Sequence, residues 1–204
     1  MYMQELISDG VADEGEVWNA DFTSYVGCFG SYAVTALPSP TNCKVDPRTA
    51  AQANGCFTDV SPIRLASITD GPSNTMFVAE RATTTLRVWT DRIYTRYGWY
   101  FTGNMGDTLF TTFYPPNVFK KVDYPLPWAA SSLHPGGLNA LMGDGSVRFI
   151  KETVQTWPYD PETGLPVGAV FNRPGGWWSN TPPPGVWQAL ATRAGGEVSN
   201  ADAF

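Results

Sequence analysis

The sequence contains little histidine, little cysteine and little charge, and each shortage excludes a class of function. One histidine in 204 residues excludes sites built from several imidazoles, such as a three-histidine zinc centre or an H-E-x-x-H protease. Three cysteines without a C-x-x-C pair exclude thioredoxin-type redox sites and cysteine-rich zinc sites. A net charge of −6 provides no basic footprint, which argues against a nucleic-acid partner.

Hydrophobic runs long enough to cross a bilayer are also missing. The first residues, MYMQELISDG, lack the basic and apolar regions of a signal peptide. We therefore expect no membrane insertion by this chain itself. Residues 1–20 are acidic and contain no basic residue, which is typical of a solvated terminus. The sequence thus predicts an acidic tail over 1–20 and a single domain over 21–204.

Glycine, proline and aromatic residues are abundant instead, with Gly 20, Pro 17, Trp 8, Tyr 9 and Phe 11. This composition predicts a folded, β-rich α+β domain with an antiparallel sheet and long Gly/Pro/aromatic loops. Short β-forming runs are predicted near Tyr25, over Asn74–Glu80 and over Thr83–Tyr100. Residues 38–56 are predicted to be an irregular, turn-rich stretch, and residues 101–128 and 157–186 are predicted to be long loops.

The clearest local pattern is GLNALMGDGSVRFI, residues 137–150. Two β-compatible runs flank Asp144-Gly145, and an Asp-Gly pair favours the positive φ angles of a type I′ turn. The pattern therefore predicts a β-hairpin with a two-residue turn. We expect a short helix to start over Ile150–Thr156, and another over Trp187–Arg193 that ends at a glycine pair.

A hydrolase built on the lone histidine would use Ser131 or Ser132 with His134 and Asp144. A serine this close in sequence is rarely placed as the nucleophile of its histidine, and no G-x-S-x-G motif is present. We therefore expect no catalytic residues. The favoured interpretation is a partly buried imidazole that bonds the backbone and fixes the hairpin. Glu80 is either its ion-pair partner or a solvated strand-end carboxylate.

The sequence contains candidate metal, glycan and disulfide sites, and each candidate also has a simpler interpretation. The loops at Asn104–Asp107 and Asp144–Ser146 are oxygen-rich, but neither has the spacing of a calcium loop, so no metal is expected. The alternative function is an extracytoplasmic binding module that uses the aromatic loops 97–119 and 171–187 to hold a glycan or an envelope protein. Trp177 and Trp178 are its candidate platform, although core packing explains most such residues. Cys43 and Cys56 flank a polar loop and form a candidate disulfide in an oxidising compartment; otherwise both are free thiols.

Several separated motifs resemble one protein family. His134, nine intervening residues and Asp144-Gly145 form an H-x(9)-D-G pattern, which resembles the C-terminal motif of bacterial prepilin-type, pilin-like proteins of unknown function. SPIRLASITDGPSNTMFVAE, GWYFTGNMGDTLFTTFYPPN and LATRAGGEVSNADAF resemble further segments of that family, in the same order. The resemblance extends from about Tyr25 to Phe204.

The resemblance implies a pilin-like head domain with a structural role, without catalysis and without a cofactor. Such a head is expected outside the cytoplasm, in the periplasm, on the cell surface or beyond it, as a subunit of a type IV pilus or type II secretion-like machine. The expected partners are other pilin-like subunits, in a homo-oligomer or filament, or envelope proteins. The family's prepilin leader and hydrophobic anchor helix are not in this sequence, so we expect a longer form anchored in the inner membrane.

Overall fold

The computed structural model describes residues 23–35, 44–58, 62–82, 106–122 and 127–196. The predicted tail over 1–20 and the predicted strand over Thr83–Tyr100 lie outside these ranges. The strands of the described residues are β1 Tyr25–Gly30, β2 Met76–Glu80, β3 Leu109–Thr111, β4 Gly137–Met142, β5 Val147–Lys151, β6 Val170–Asn172 and β7 Trp177–Ser179. Their α-helices are α1 Pro47–Gln52 and α2 Val186–Ala189. Single 3-10 turns cover Leu65–Ser67, Pro72–Asn74 and Val118–Lys120.

Five strands form the main sheet in the order β3-β1-β2-β4-β5. Three pairs in this sheet are antiparallel, and only β1 and β3 run parallel. Strands β6 and β7 form a separate antiparallel pair. The predicted α+β, sheet-dominated fold with an antiparallel sheet is confirmed. Within the described ranges, no helix is long and apolar enough to cross a membrane.

The core lies on one face of the main sheet. Alternate strand residues point to the same face, and the register aligns Val26 with Ala79 and Ala79 with Ala140. Trp187 and Leu190, from α2 and the turn after it, pack against this face and are fully buried. Because apolar positions of the strands and of α2 share one layer, α2 closes this side of the core.

A second cluster holds the loops together through aromatic rings. Trp157 is buried and donates from Nε1 to the carbonyl of Phe113 at 3.1 Å. The Phe113 ring lies 5.5 Å from the Trp157 ring and 4.6 Å from the Trp178 ring, measured between centroids. The segments predicted to be long loops over 101–128 and 157–186 are therefore anchored by buried rings. The prediction was incomplete, because β3 lies in the first segment and the β6–β7 pair lies in the second.

The hairpin over residues 137–150 is confirmed, but the predicted type I′ turn is wrong. Gly145 has φ +87°, whereas Asp144 keeps an ordinary negative φ. Two hydrogen bonds close the loop Gly143–Gly145. The Gly145 N–H donates to the carbonyl of Met142, and the Met142 N–H donates to the carbonyl of Ser146. This is a three-residue loop in which only the final glycine needs the left-handed region. The Asp144 carboxylate instead accepts from the backbone and the hydroxyl of Ser146.

Two further local predictions differ from the structure. The helix expected over Ile150–Thr156 is wrong, because β5 continues to Lys151 and turns follow it. The long irregular stretch around residue 50 contains α1, which begins at Pro47 with the Asp46 carboxylate accepting from the Arg48 N–H at 2.8 Å. Asp followed by Pro is an N-terminal signal for a helix. The helix expected over Trp187–Arg193 is confirmed in part as α2, a single helical turn that ends at Ala189, before the glycine pair.

The Gln188 side chain joins α2 to two loops in the core. It is fully buried. Its Oε1 accepts from the backbone N–H groups of Trp157 and Gly185 at 3.0 and 3.1 Å. Its Nε2 donates to the carbonyl of Thr112 and the hydroxyl of Thr156 at 2.7 and 2.9 Å. Four polar groups in the core are therefore satisfied by one side chain.

Replacing Gln188 with leucine should destabilise the fold by about 3 kcal/mol, because buried donors and an acceptor lose their partner. Gln155→Leu is the matched control, since Gln155 is exposed, and it should change stability by less than about 0.5 kcal/mol. The measurement is the free energy of unfolding in urea. Equal effects of the two substitutions would contradict the assigned role of Gln188.

Candidate functional site

The candidate site is built on the Glu80 carboxylate at the end of β2. Its Oε2 accepts from the backbone N–H of Asn139 at 2.8 Å, and its Oε1 accepts from the Asn139 side-chain amide at 2.9 Å. Asn139 belongs to β4, the neighbouring strand. A carboxylate that accepts two bonds from one residue is held in one orientation. The strand end therefore presents a fixed negative charge.

His134 lies against this carboxylate. Its Nε2 is 3.4 Å from Glu80 Oε1, and its side chain is 58% exposed. The contact that the sequence suggested between these residues is present, and it is an ion pair when the imidazole is protonated. The expectation of a partly buried imidazole bonded to backbone is corrected, because the ring contacts the carboxylate and faces solvent. The loop is placed by Ser132, whose hydroxyl bonds Glu80 and accepts from the His134 N–H at 3.2 Å.

These contacts set the protonation of Glu80. Burial favours the neutral acid and acts to raise the pKa of Glu80, but hydrogen bonds from Asn139 and Ser132 and the charge of His134 outweigh it. The pKa of Glu80 is therefore held below its ordinary value. The ionised carboxylate is the form that the folded structure stabilises.

Arg81, the residue after Glu80, connects the end of β2 to the segment before β3. It is buried, and its guanidinium donates to the carbonyls of Gly106 and Asp107, which precede β3. Burial lowers the pKa of Arg81 to about 10, which leaves it charged at neutral pH. Together, Glu80 and Arg81 connect β2 to β4 on one side and to the start of β3 on the other.

A second set of contacts supports the loop that carries His134. Asn117 is fully buried with a left-handed φ of +53°. Its side chain accepts from the Ser132 N–H at 2.7 Å and donates to Glu152 at 2.9 Å. Lys120 pairs with the same Glu152 carboxylate at 3.1 Å and bonds the His134 carbonyl at 3.5 Å. The loop is thus held at both its ends.

The order of the polar groups does not match nucleophilic catalysis. A catalytic triad requires the imidazole between the hydroxyl and the carboxylate. Here Glu80 lies between Ser132 and His134, and the Ser132 side chain is almost fully buried. The shallow depression beside these residues, about 190 Å³, is lined in part by Tyr25 and Leu133. The arrangement orients a loop rather than activating a hydroxyl.

The candidate platform residues Trp177 and Trp178 point away from each other, as neighbours on a strand do. Trp178 donates from its indole to the carbonyl of Ala33 at 2.8 Å and stacks on Phe113. The Arg48 guanidinium covers Trp177, 4.7 Å from the ring centroid. The two rings therefore do not form one continuous surface.

The remaining predicted positions lie apart from Glu80. Asp144 and Gly145 occupy the hairpin tip. Within the described ranges, no group of three His, Cys, Asp or Glu side chains is arranged to hold a metal. Cys56 is a free thiol, as is Cys28. Cys43 lies outside the described residues, so its pairing with Cys56 stays a prediction.

Comparison with known proteins assigns the family. Residues 13–156 match the family described as "Protein of unknown function (DUF1559)", which is more than two thirds of the chain. The chain belongs to the DUF1559 family. The matched region contains both Glu80 and His134, but it ends before the C-terminal segment LATRAGGEVSNADAF. Neither a curated protein nor a solved structure matches the chain.

Sequence reasoning missed the residues that support His134. Asn139 lies within the H-x(9)-D-G pattern, but nothing in the pattern distinguishes its side chain from the other intervening residues. Asn117 follows two prolines, and asparagine is the non-glycine residue that adopts left-handed φ most readily, so its position was a usable signal. The Glu152 contact joins positions 35 residues apart and has no local signature.

Glu80→Gln should lower the free energy of unfolding at neutral pH by about 2 kcal/mol, because it removes an acceptor of charge-assisted bonds. The native chain should also lose stability as pH falls. Its contribution from Glu80 is complete above the ordinary glutamate pKa of about 4.3 and is lost as pH falls through the lower pKa of the folded state. The measurement is urea unfolding between neutral and acidic pH.

His134→Ala is the matched comparison. The imidazole is mostly exposed, so its loss should cost only about 0.5 kcal/mol at neutral pH, and it leaves the Asn139 bonds in place. Parallel pH curves for the native chain and Glu80→Gln would contradict the role assigned to Glu80. If His134→Ala lowers the free energy of unfolding more than Glu80→Gln does, the conclusion that the Asn139 bonds stabilise the site more than the imidazole does is contradicted.

Proposed function

We propose that this DUF1559 protein is a non-catalytic structural or interaction protein, the head domain of a pilin-like subunit of a type IV pilus or type II secretion-like machine. The assignment to pilin-like subunits rests on the motif resemblance, and the head would act outside the cytoplasm. A single structural observation supports an interaction role: the outer face of the main sheet carries several exposed apolar side chains among the described residues.

Two rows of residues line the outer face of the main sheet. The first row runs across the sheet through Tyr25, Glu80, Asn139 and Phe149, and the second through Gly27, Val78, Leu141 and Val147. We call the exposed apolar members, Tyr25, Leu141, Val147 and Phe149, the open face. Val147 is 66% exposed, Tyr25 64% and Phe149 44%.

The outer face of an antiparallel sheet is usually polar, since it meets water. Large apolar side chains in adjacent positions are a costly surface for an isolated domain and are typical of contact sites. Strand β5 lies at the edge of the sheet, so its backbone borders the same surface. A protein surface of matching apolar character, such as another subunit, is the partner that this face fits.

The non-catalytic part of the proposal is supported by the site around Glu80. The carboxylate is engaged by Asn139, Ser132 and His134, which leaves it little capacity to bind a substrate. A glycan-binding module built on Trp177 and Trp178 has less support. The Trp178 ring packs on Phe113, and Arg48 covers Trp177.

Val147→Ser should weaken self-association of the chain about tenfold, because one valine leaves the contact in each copy. Val167→Ser is the matched control, since Val167 is 54% exposed and lies outside the open face. The measurement is sedimentation velocity over a range of concentrations. A native chain that stays monomeric throughout, or equal weakening by both substitutions, would contradict subunit contact through this face.

The subunit assignment has an independent test in the gene. An in-frame prepilin leader followed by a hydrophobic helix, encoded upstream of Met1, would support a pilin-like subunit. A stop codon directly upstream would contradict it, whatever the outcome for the open face. The two results together separate the family role from the contact surface.

A further inference from the structure

The segment after α1 lies alongside β1. Gly55 donates its N–H to the carbonyl of Phe29 at 2.8 Å, and Phe57 donates to the carbonyl of Cys28 at 3.1 Å. The Phe57 ring lies over Gly27, where an added Cβ would approach it to 3.1 Å. Residues 55–57 therefore form a bend that packs against residues 27–29 of β1.

These two hydrogen bonds place Cys56 beside Cys28. Cys56 lies between the two donors, and the residue that follows it, Phe57, is bonded to Cys28 itself. The Phe57 ring packs against the Phe77 ring. Cys28 is fully buried in the core and Cys56 is partly buried, so both thiols are shielded by the same part of the fold.

Both thiols also border the same stretch of chain. The Cys28 Sγ is 3.8 Å from the carbonyl of Ala191. Arg193 donates to the carbonyl of Gly55 at 2.7 Å, and its positive charge acts to lower the pKa of the Cys56 thiol. Burial raises the pKa of Cys28, and the neighbouring Cys56 raises it further. The two sulfur atoms are therefore close enough to interact electrostatically.

We propose that Cys28 and Cys56, in place of the Cys43–Cys56 pair suggested by the sequence, form a disulfide bond when the folded chain meets a disulfide oxidant. A disulfide joins residues whose Cα atoms are about 4.4–6.8 Å apart. The hydrogen bond from the Phe57 N–H to the Cys28 carbonyl makes the backbones of Cys28 and Cys56 direct neighbours, so the bond requires only a local adjustment of the segment after α1. The bond would attach α1 covalently to β1.

The reaction uses the half-buried Cys56 first. Its thiolate attacks one sulfur of the oxidant's disulfide, the oxidant's S–S bond breaks, and one thiol leaves. Cys28 then gives its proton to solvent and attacks the Cys56 sulfur, which releases the second thiol. Two cysteine thiols are oxidised, and one disulfide of the oxidant is reduced to two thiols. Burial raises the pKa of Cys56 to about 11, so the reaction should run faster in mildly alkaline buffer.

The test oxidises the full chain with oxidised glutathione and maps the cysteines by alkylation and peptide mass spectrometry. We expect a linked pair of peptides that contain Cys28 and Cys56, with Cys43 alkylated. Cys43→Ser should retain the link, and Cys28→Ser should abolish it. A Cys43–Cys56 link, three alkylated cysteines, or only glutathione adducts would overturn the proposal.

Thermal unfolding provides a second readout. In Cys43→Ser, oxidation should raise the Tm, because the bond closes a long loop and restricts the unfolded chain. Cys28→Ser combined with Cys43→Ser should show no rise. A lower Tm after oxidation of Cys43→Ser would show that the bond distorts the fold and would overturn the geometric argument. Both results are independent of whether the chain is a pilin-like subunit.

Discussion

The pairing of the Glu80 carboxylate with Asn139 is the interaction on which the described structure depends most. A carboxylate at a strand end, mostly removed from water, must find donors or remain protonated. Asn139 supplies two donors from the adjacent strand, and the loop with Ser132 and His134 supplies the others. The same charge therefore aligns β2 with β4 and fixes the entry to the hairpin. The two segments that carry the family resemblance meet at this one group.

The main sheet separates two functions of the fold. Its inner face holds the core, where Trp187 and Leu190 pack over small residues such as Ala79 and Ala140. Its outer face carries the exposed apolar residues of the open face, while the Phe57 ring covers Gly27 of β1. One-sided burial is sufficient for an antiparallel sheet to fold. The outer face is then available for contact with another protein, which is the physical basis for an interaction role.

Much of the local structure could be predicted from the sequence. The hairpin, β2, β1 and the helical turn at α2 each have a signal within a few residues: an Asp-Gly pair, a run of apolar residues, or a glycine pair. The contact between Glu80 and His134 was also within reach, since Glu80 ends a predicted strand and His134 lies just before the predicted hairpin. Four details were not. The hairpin turn has one positive φ instead of two, and the expected helix after Ile150 is a strand end followed by turns. Helix α1 begins at an Asp-Pro signal inside a stretch predicted to be irregular, and β3, β6 and β7 lie in segments predicted to be loops.

The sequence by itself determined the fold class, most strand positions and the family, because turn chemistry and hydrophobic patterning act over short distances and need no knowledge of the partner segment. Only the tertiary structure decided which groups meet. Asn117 reaches Glu152, Gln188 reaches Thr112, and residues 55–57 lie along β1. Each of these contacts satisfies a polar group or fills a space that exists only after distant segments have packed. Trp177 and Trp178 lie on one strand, so their side chains point to opposite sides. Trp178 contacts Phe113, whereas Trp177 contacts Arg48.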